Sequence, residues 1–399
     1  MADETRNPAE GRYPIAAAVV FLLLAGVLIP SPLYELYRRT FNLTPGQIGL
    51  VFAIYAASLI PSLIFLGGIS DHIGRRKTML TGMTLLALGS VVLGFADGLV
   101  WLIIGRVLQG FAVGLALGAA IAALTEWMPA PMRRHAGQVT VIATSAGAAF
   151  GALLAGICAQ YTPFGASLPY YIHIGLLVIV AFAIASVPSS PHVYESTHSS
   201  VLHVPKAIRR PFSLAAGEAF IGFGTVGVFI SLVPTFLDNA MHLHNLMIGA
   251  LVVTVIQAGA IVASLLAERF GDRGGIITAM LVLGAGMWSL LLSDPWHLHA
   301  LIFAGAFLVG AGNGLSYAVA LRIVGAIAPP EHRAQVTSSL LVSCYAGFSV
   351  PVLAIGFAAN YFGLYLAFVA AAIALGVIAV ATMALATDRN FTVAPTTSG

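Results

Sequence analysis

About a dozen stretches of some twenty apolar residues, joined by short polar loops, leave this chain few folds to choose from. That is the length an α-helix needs to cross the hydrocarbon of a bilayer. They fall at about residues 14–36, 46–69, 78–97, 100–125, 138–161, 169–187, 212–236, 246–267, 276–293, 298–325, 335–358 and 363–386. Hydrophobic residues make up 59% of the chain and charged residues only 8%, against roughly a quarter charged in a soluble domain. Folding in water would expose too much apolar surface, so the bilayer is the solvent. The expected fold is an all-α polytopic membrane protein with twelve transmembrane helices.

The polar segments divide the chain. The longest, 188–211, carries Ser189, Ser190, Pro191, Ser199, Ser200 and the basic run Lys206, Arg209 and Arg210. It reads as a cytoplasmic linker between two six-helix bundles, 14–187 and 212–386, with short tails at 1–13 and 387–399. Placing the N-terminus inside puts 14 of the 18 basic residues in the cytoplasm. Arg38 and Arg39 fall outside, and Arg106 and Arg322 lie within helices. That bias orients the chain with both termini cytoplasmic. The first apolar stretch reads as a retained helix and not a cleaved signal, because no small-residue cleavage site follows it. Basic residues spread over many loops give no patch for nucleic acid. Cys158 and Cys344 lie inside apolar stretches without ligand spacing and read as small core residues.

One polar loop occurs twice. Gly67-Gly68-Ile69-Ser70-Asp71-His72-Ile73-Gly74-Arg75-Arg76-Lys77 is matched by Ser264-Leu265-Leu266-Ala267-Glu268-Arg269-Phe270-Gly271-Asp272-Arg273. In register, Asp71 meets Glu268, Gly74 meets Gly271 and Arg76 meets Arg273. Gly110, Gly114, Pro129 and Arg133 are likewise matched at constant offset by Gly310, Gly314, Pro329 and Arg333. A duplicated basic hinge between membrane helices points to a two-repeat transporter, with its substrate site between the repeats near mid-membrane.

With these residues in view, the chain resembles the major facilitator superfamily, closest in motif to its bacterial proton-coupled drug and metabolite antiporters. The family hinge motif, Gly-x-Leu-Ala-Asp-Arg-x-Gly-Arg-Arg/Lys, is met at Gly67, Asp71, Gly74, Arg75 and Arg76; Ile69, Ser70 and His72 depart from it. The resemblance implies two pseudo-symmetric six-helix bundles around a central cavity, residence in a bacterial inner membrane, a monomer, no cofactor, and the proton as coupling ion. It also implies a cytoplasmic gating latch at the hinge, to which Glu126, Glu268 and Arg273 are assigned. A carboxylate beside arginines and helix ends can make and break charge-assisted contacts between two states. Ile104-Gly105-Arg106-Val107-Leu108-Gln109-Gly110 matches a second motif, whose arginine in proton-coupled relatives tunes a nearby acid. The helix-five antiporter motif Gly-Pro-x-x-Gly-Gly survives only as Gly151-Ala152-Leu153-Leu154-Ala155-Gly156, preceded by Gly147.

Charges in hydrocarbon are functional by default. Glu35, Arg106, Glu218 and Arg322 fall on helices one, four, seven and ten, which the resemblance places around the cavity. Depth along those helices pairs Glu35 with Arg106 and Glu218 with Arg322, as candidates for proton coupling. The competing readings are a solvated Glu35 at the interface and a static Glu218 ion pair. Tyr34, Gln257, Asn313 and Tyr317 are the candidate substrate-cavity residues. His173, on helix six, is given a structural role. Two outer loops, with Asp238, His242 and His244 and with Asp294, His297 and His299, carry a spacing that suits a transition metal, although outer loops are polar in any case. The function expected is proton-coupled export of small apolar or cationic compounds. The alternative is uptake of a small metabolite or a divalent transition metal with protons. No paired catalytic constellation supports an enzyme.

Overall fold

The computed structural model describes residues 9–66, 69–188, 202–239, 245–293, 295 and 298–387. Each expected stretch is a helix long and apolar enough to cross a membrane. Spans 1 to 6 are Tyr13–Thr40, Pro45–Leu66, Arg75–Gly94, Leu99–Glu126, Ala130–Tyr161 and Leu168–Ala185. Spans 7 to 12 are Lys206–Asp238, Leu246–Arg269, Asp272–Ser293, Ala300–Ile327, Gln335–Phe362 and Leu364–Leu385. Most boundaries agree with the hydropathy pattern to within a turn. Span 1 runs a turn further than expected, through Thr40, because its charged end neutralises itself on neighbouring residues.

Local chemistry sets the ends. Thr44 and Gln47 form a capping box at the start of span 2: Gln47 N donates to Thr44 Oγ1 at 3.2 Å, and Thr44 N donates to Gln47 Oε1 at 2.8 Å. A short helix, Ile69–Ile73, precedes span 3. Between them Gly74 has φ 89°, a conformation that costs a residue with a Cβ but not glycine. The hinge motif needs a glycine there for this reason.

The helices form two compact units. One comprises Met1–Pro30 and Ser58–His198; the other comprises Ser31–Ala57 and Ser199–Gly399. One boundary between the units, between 198 and 199, falls within the expected linker; two more cut spans 1 and 2, whose segment 31–57 groups with the C-terminal helices. Within the first unit, span 3 packs on span 4, span 1 on spans 4, 5 and 6, and span 6 on span 3. Within the second, span 9 packs on span 10, span 7 on spans 10 and 11, and span 12 on spans 9 and 11. The same neighbour scheme recurs in each, as the internal repeat requires.

The repeated glycines mark where the scheme is tightest. A Cβ on Gly114 of span 4 would stand 2.9 Å from Leu59 O of span 2, and one on its counterpart Gly314 would stand 2.5 Å from Ala260 O of span 8. Close backbone approach of this kind holds membrane helices together where no hydrophobic drive exists between them. His173 is fully buried and staples three spans: Nε2 lies 3.0 Å from Leu22 O and Nδ1 lies 3.1 Å from Ser90 Oγ. Its role is structural, as span 6 suggested.

Candidate functional site

Prolines interrupt several of these helices, and their effects account for part of the polar chemistry inside the membrane. Proline has no N–H, so the carbonyl four residues earlier loses its helical donor. Pro30 frees Gly26 O, which accepts from Gln109 Nε2 at 2.9 Å. Beside it, Val27 O accepts from Arg106 Nη1 at 3.0 Å, and the same Nη1 donates to Gln109 Oε1 at 2.8 Å. Arg106 is only 1% exposed. Its guanidinium therefore caps the break in span 1, a task that the motif around it did not reveal.

Glu35 takes its partners from its own helix. Arg38 grips it in a fork, Nε to Oε2 and Nη2 to Oε1, both at 2.8 Å. Arg39 Nε donates to Glu35 Oε1 at 2.9 Å and to Asp238 Oδ2 at 3.1 Å. The expected pairing of Glu35 with Arg106 thus gives way to local arginines, because the helix turn brings i+3 and i+4 residues together at no entropic cost beyond the side chains.

Glu218 is different. It is fully buried in span 7, and neither carboxylate oxygen has a hydrogen-bond partner among the described residues. Ser316 Oγ of span 10 donates to Glu218 O at 3.0 Å, and Ser343 Oγ of span 11 donates to Ala216 O at 2.9 Å. Asn313 Oδ1 is also buried and unpartnered, lying against Gly222 one turn along span 7. Above it the rings of Tyr317, Tyr345 and Phe348 surround Phe223, with centroids 5.4, 6.4 and 6.2 Å away. Phe52 follows at 4.7 Å from Phe348, and Tyr34 stands edge-on to Phe52 at 6.3 Å. Of the proposed cavity residues, Tyr34, Asn313 and Tyr317 thus share one aromatic, acceptor-rich face. Gln257 is half-buried on span 8.

Arg322 does not pair with Glu218. Its Nε donates to Asp272 Oδ1 at 2.7 Å, and its other nitrogens donate to Ala267 O and Phe270 O. It therefore belongs to the second hinge. In the first hinge, Arg75 meets Glu126 Oε1 at 3.2 Å and also donates to Ser70 Oγ, while Arg76 donates to Val187 O at 3.0 Å. The two hinges are charge-reversed copies: Arg75 and Asp272 occupy the same register, and the partner ending span 4 or span 10 carries the opposite sign. Asp272 was not among the residues expected at the hinge; the opposite signs of Glu126 and Arg322 were the available clue. Glu268 lies in the turn Ala267–Arg269 and Arg273 opens span 9. Gly67 and the Asp71 side chain lie outside the described residues.

These hinge pairs are partly exposed, 21% and 31% for Arg75 and Glu126, so each contributes modestly. Arg75→Glu is expected to slow transport, and Arg75→Glu with Glu126→Arg to restore it. A double-mutant cycle on thermal stability should give a coupling of about 0.2–1 kcal/mol. Failure of the swap to restore either quantity would show that the pair is incidental.

The metal reading of the outer loops loses one ligand, since Asp238 is engaged by arginine. His299 is exposed at the start of span 10. His242, His244, Asp294 and His297 lie outside the described residues, and no group of three ligating side chains occurs among the described ones.

The chain matches the family model described as Major Facilitator Superfamily over residues 16–264 and 219–398. It is 25% identical over 361 residues to the MFS-type transporter YceJ of Bacillus subtilis, covering 85% of this chain and 87% of that one. It is 25% identical over 314 residues to the multidrug resistance protein MdtG of Serratia proteamaculans, covering 74% of each. A bacterial homologue of the human lysosomal transporter Spinster superposes with TM-score 0.76 at 18% identity, covering 96% of this chain and 97% of that one. Twelve membrane-spanning helices, the duplicated hinge and the whole-chain family match lead to one conclusion: the chain belongs to the major facilitator superfamily and is a membrane transporter of small molecules, not an enzyme.

Proposed function

We propose that this transporter is a proton-coupled antiporter that works by alternating access and exports small apolar or cationic compounds, with Glu218 as the proton carrier. The observation behind this reading is the unpartnered carboxyl of Glu218. An ionised carboxylate buried without a hydrogen-bond partner is costly by several kcal/mol. A group so placed holds a proton while the helices are packed, and releases it when they part or when a cation takes its place. Glu35, Arg106 and Arg322 then serve closure, the kink and the hinge, and only Glu218 exchanges protons. Similarity to a protein named for multidrug resistance supports export. So does the face shared by Asn313, Tyr317 and Phe223, which offers acceptors and π-faces suited to cationic guests. In this reading the basic loops and both termini face the cytoplasm of a bacterial inner membrane, the hinges are the cytoplasmic latch, and the unit is a monomer.

The test is external pH in a weakly buffered suspension of proteoliposomes, as lipophilic cations, sugars, organic acids and divalent metals are added in turn. Acidification on entry of a compound is the expected result. Alkalinisation would replace antiport with proton-driven uptake, and an unchanged pH during measured transport would remove proton coupling altogether.

A further inference from the structure

Within the second compact unit, span 10 turns one face toward span 7. Asn313 and Tyr317 stand one turn apart on that face, with Ser316 beside them. Asn313 and Ser316 both reach Gly222 of span 7: a Cβ there would stand 3.0 Å from Asn313 Oδ1 and 3.2 Å from Ser316 Oγ. Glycine lets the amide come this close to the neighbouring helix. The two polar side chains then differ in their hydrogen bonds. Ser316 Oγ gives its proton to Glu218 O at 3.0 Å. Asn313 Oδ1 is buried and receives no hydrogen bond among the described residues.

An amide oxygen can only accept, and burying it without a donor costs its full desolvation. Ser316 is committed elsewhere, and Glu218 lies four residues before Gly222, about 6 Å along the axis at ~1.5 Å per residue. The donor is therefore left to a guest. Phe223 follows Gly222 directly, and the rings of Tyr317, Tyr345 and Phe348 stand around it with centroids 5.4, 6.4 and 6.2 Å away. These four residues and Asn313 are all half-buried, so the acceptor is hidden but its approach is not. Ring faces attract a cation whatever its substitution. The amide oxygen discriminates, because it favours only a cation with a hydrogen on nitrogen.

We propose that Asn313 is a specificity-determining residue that accepts the N–H of a protonated amine. The transporter then prefers protonated tertiary amines with an aromatic or alkyl body over quaternary ammonium ions of the same shape. The inference deepens the export reading and rests on it for the cationic class of the guest, not for the proton. A tertiary ammonium offers one N–H in one direction and apolar groups in the others, a division that the lone acceptor and the aromatic rings match. A quaternary ion puts a methyl against Oδ1 and leaves the oxygen unsatisfied. Hydrogen bonds from charged donors are the stronger kind, so the preference should be at least about tenfold in affinity.

Isothermal titration of the purified full chain in detergent tests this with three probes: dimethyl(2-naphthylmethyl)ammonium, its trimethyl analogue and the neutral 2-naphthylmethanol. The dimethyl ion should bind at least about tenfold more tightly than the trimethyl ion. Asn313→Leu should bring that ratio close to one by weakening the dimethyl ion alone, which a merely structural role would not do. If that variant fails to fold, Gly222→Ala, which sets a methyl against Oδ1, should lower the ratio instead. Equal affinities in the unaltered protein, or no binding of any probe, would overturn the inference. So would a ratio that survives the substitution, or an alcohol that binds as tightly as the dimethyl ion. Proton exchange in liposomes with a ratio of one would sink this inference and leave the coupling; a tenfold ratio without proton movement would do the reverse.

Discussion

Replacing Glu218 with Gln is expected to abolish transport driven by a pH gradient while leaving substrate exchange intact. The amide keeps the shape of the protonated acid in its buried place in span 7, so the packing against spans 10 and 11 is preserved. It cannot lose or gain a proton in the accessible range, so every cycle that requires deprotonation stops. Gradient-driven flux should fall by at least about tenfold, which corresponds to a barrier change of ~1.4 kcal/mol or more. Counterflow of labelled substrate needs no net proton movement and should persist near the wild-type rate. Both measurements belong on the same proteoliposomes. Loss of both would mean that Glu218 binds substrate or holds the fold; loss of neither would remove it from the mechanism. Glu218→Asp is a useful companion, since it shortens the side chain but keeps the proton.

A second large effect is expected from the smallest possible change in span 5. Gly147 and Gly151 face span 1 so closely that an added Cβ would stand 2.1 Å from Phe21 O and 2.0 Å from Ala25 O. These contacts are with backbone, so no side chain can turn away to make room. Gly151→Ala must push span 5 from span 1, one of the principal helix pairs of the first unit. Overpacking of this kind costs about 1–3 kcal/mol, and here a rigid helix must move, which places it at the upper end. Gly175→Ala on span 6, where a Cβ meets nothing within 4 Å, is the control and should be neutral. Thermal unfolding in detergent and the yield of monodisperse protein would decide it: equal stability of the two variants would mean that span 5 yields more readily than the contact implies. The residual glycine pattern of span 5 is thus accounted for by packing. The same contact recurs in the other repeat, where a Cβ on Gly347 would stand 2.3 Å from Phe220 O.

That pairing of Gly147 with Gly347 was present in the sequence at the same offset as Gly110 and Gly310. It stood out only once helices 1 and 5, and helices 7 and 11, were seen to touch. The hinge tells a similar story. Gly74 and the basic run were visible, because positive φ and charge leave plain residue types. The reversal of Arg75 into Asp272 was not, because its meaning depends on which charge waits at the end of the neighbouring span. Arg106 was rightly marked as unusual, but its partners are main-chain carbonyls, which sequence cannot distinguish from one another.

The amino-acid order alone determined the solvent, the number of spans, their approximate ends and the two-fold repeat. Each of these follows from hydrophobic run length, from the exclusion of charge from hydrocarbon, and from periodicity along one chain. The tertiary structure alone decided which buried charges are satisfied. Arg322 went to the hinge, Glu35 to its neighbouring arginines, and the Glu218 carboxyl was left without a hydrogen-bond partner among the described residues. Such choices depend on distances of a few ångströms between residues far apart in the chain, and in a low-dielectric interior those distances settle whether a polar group is paired, capped or left without a partner.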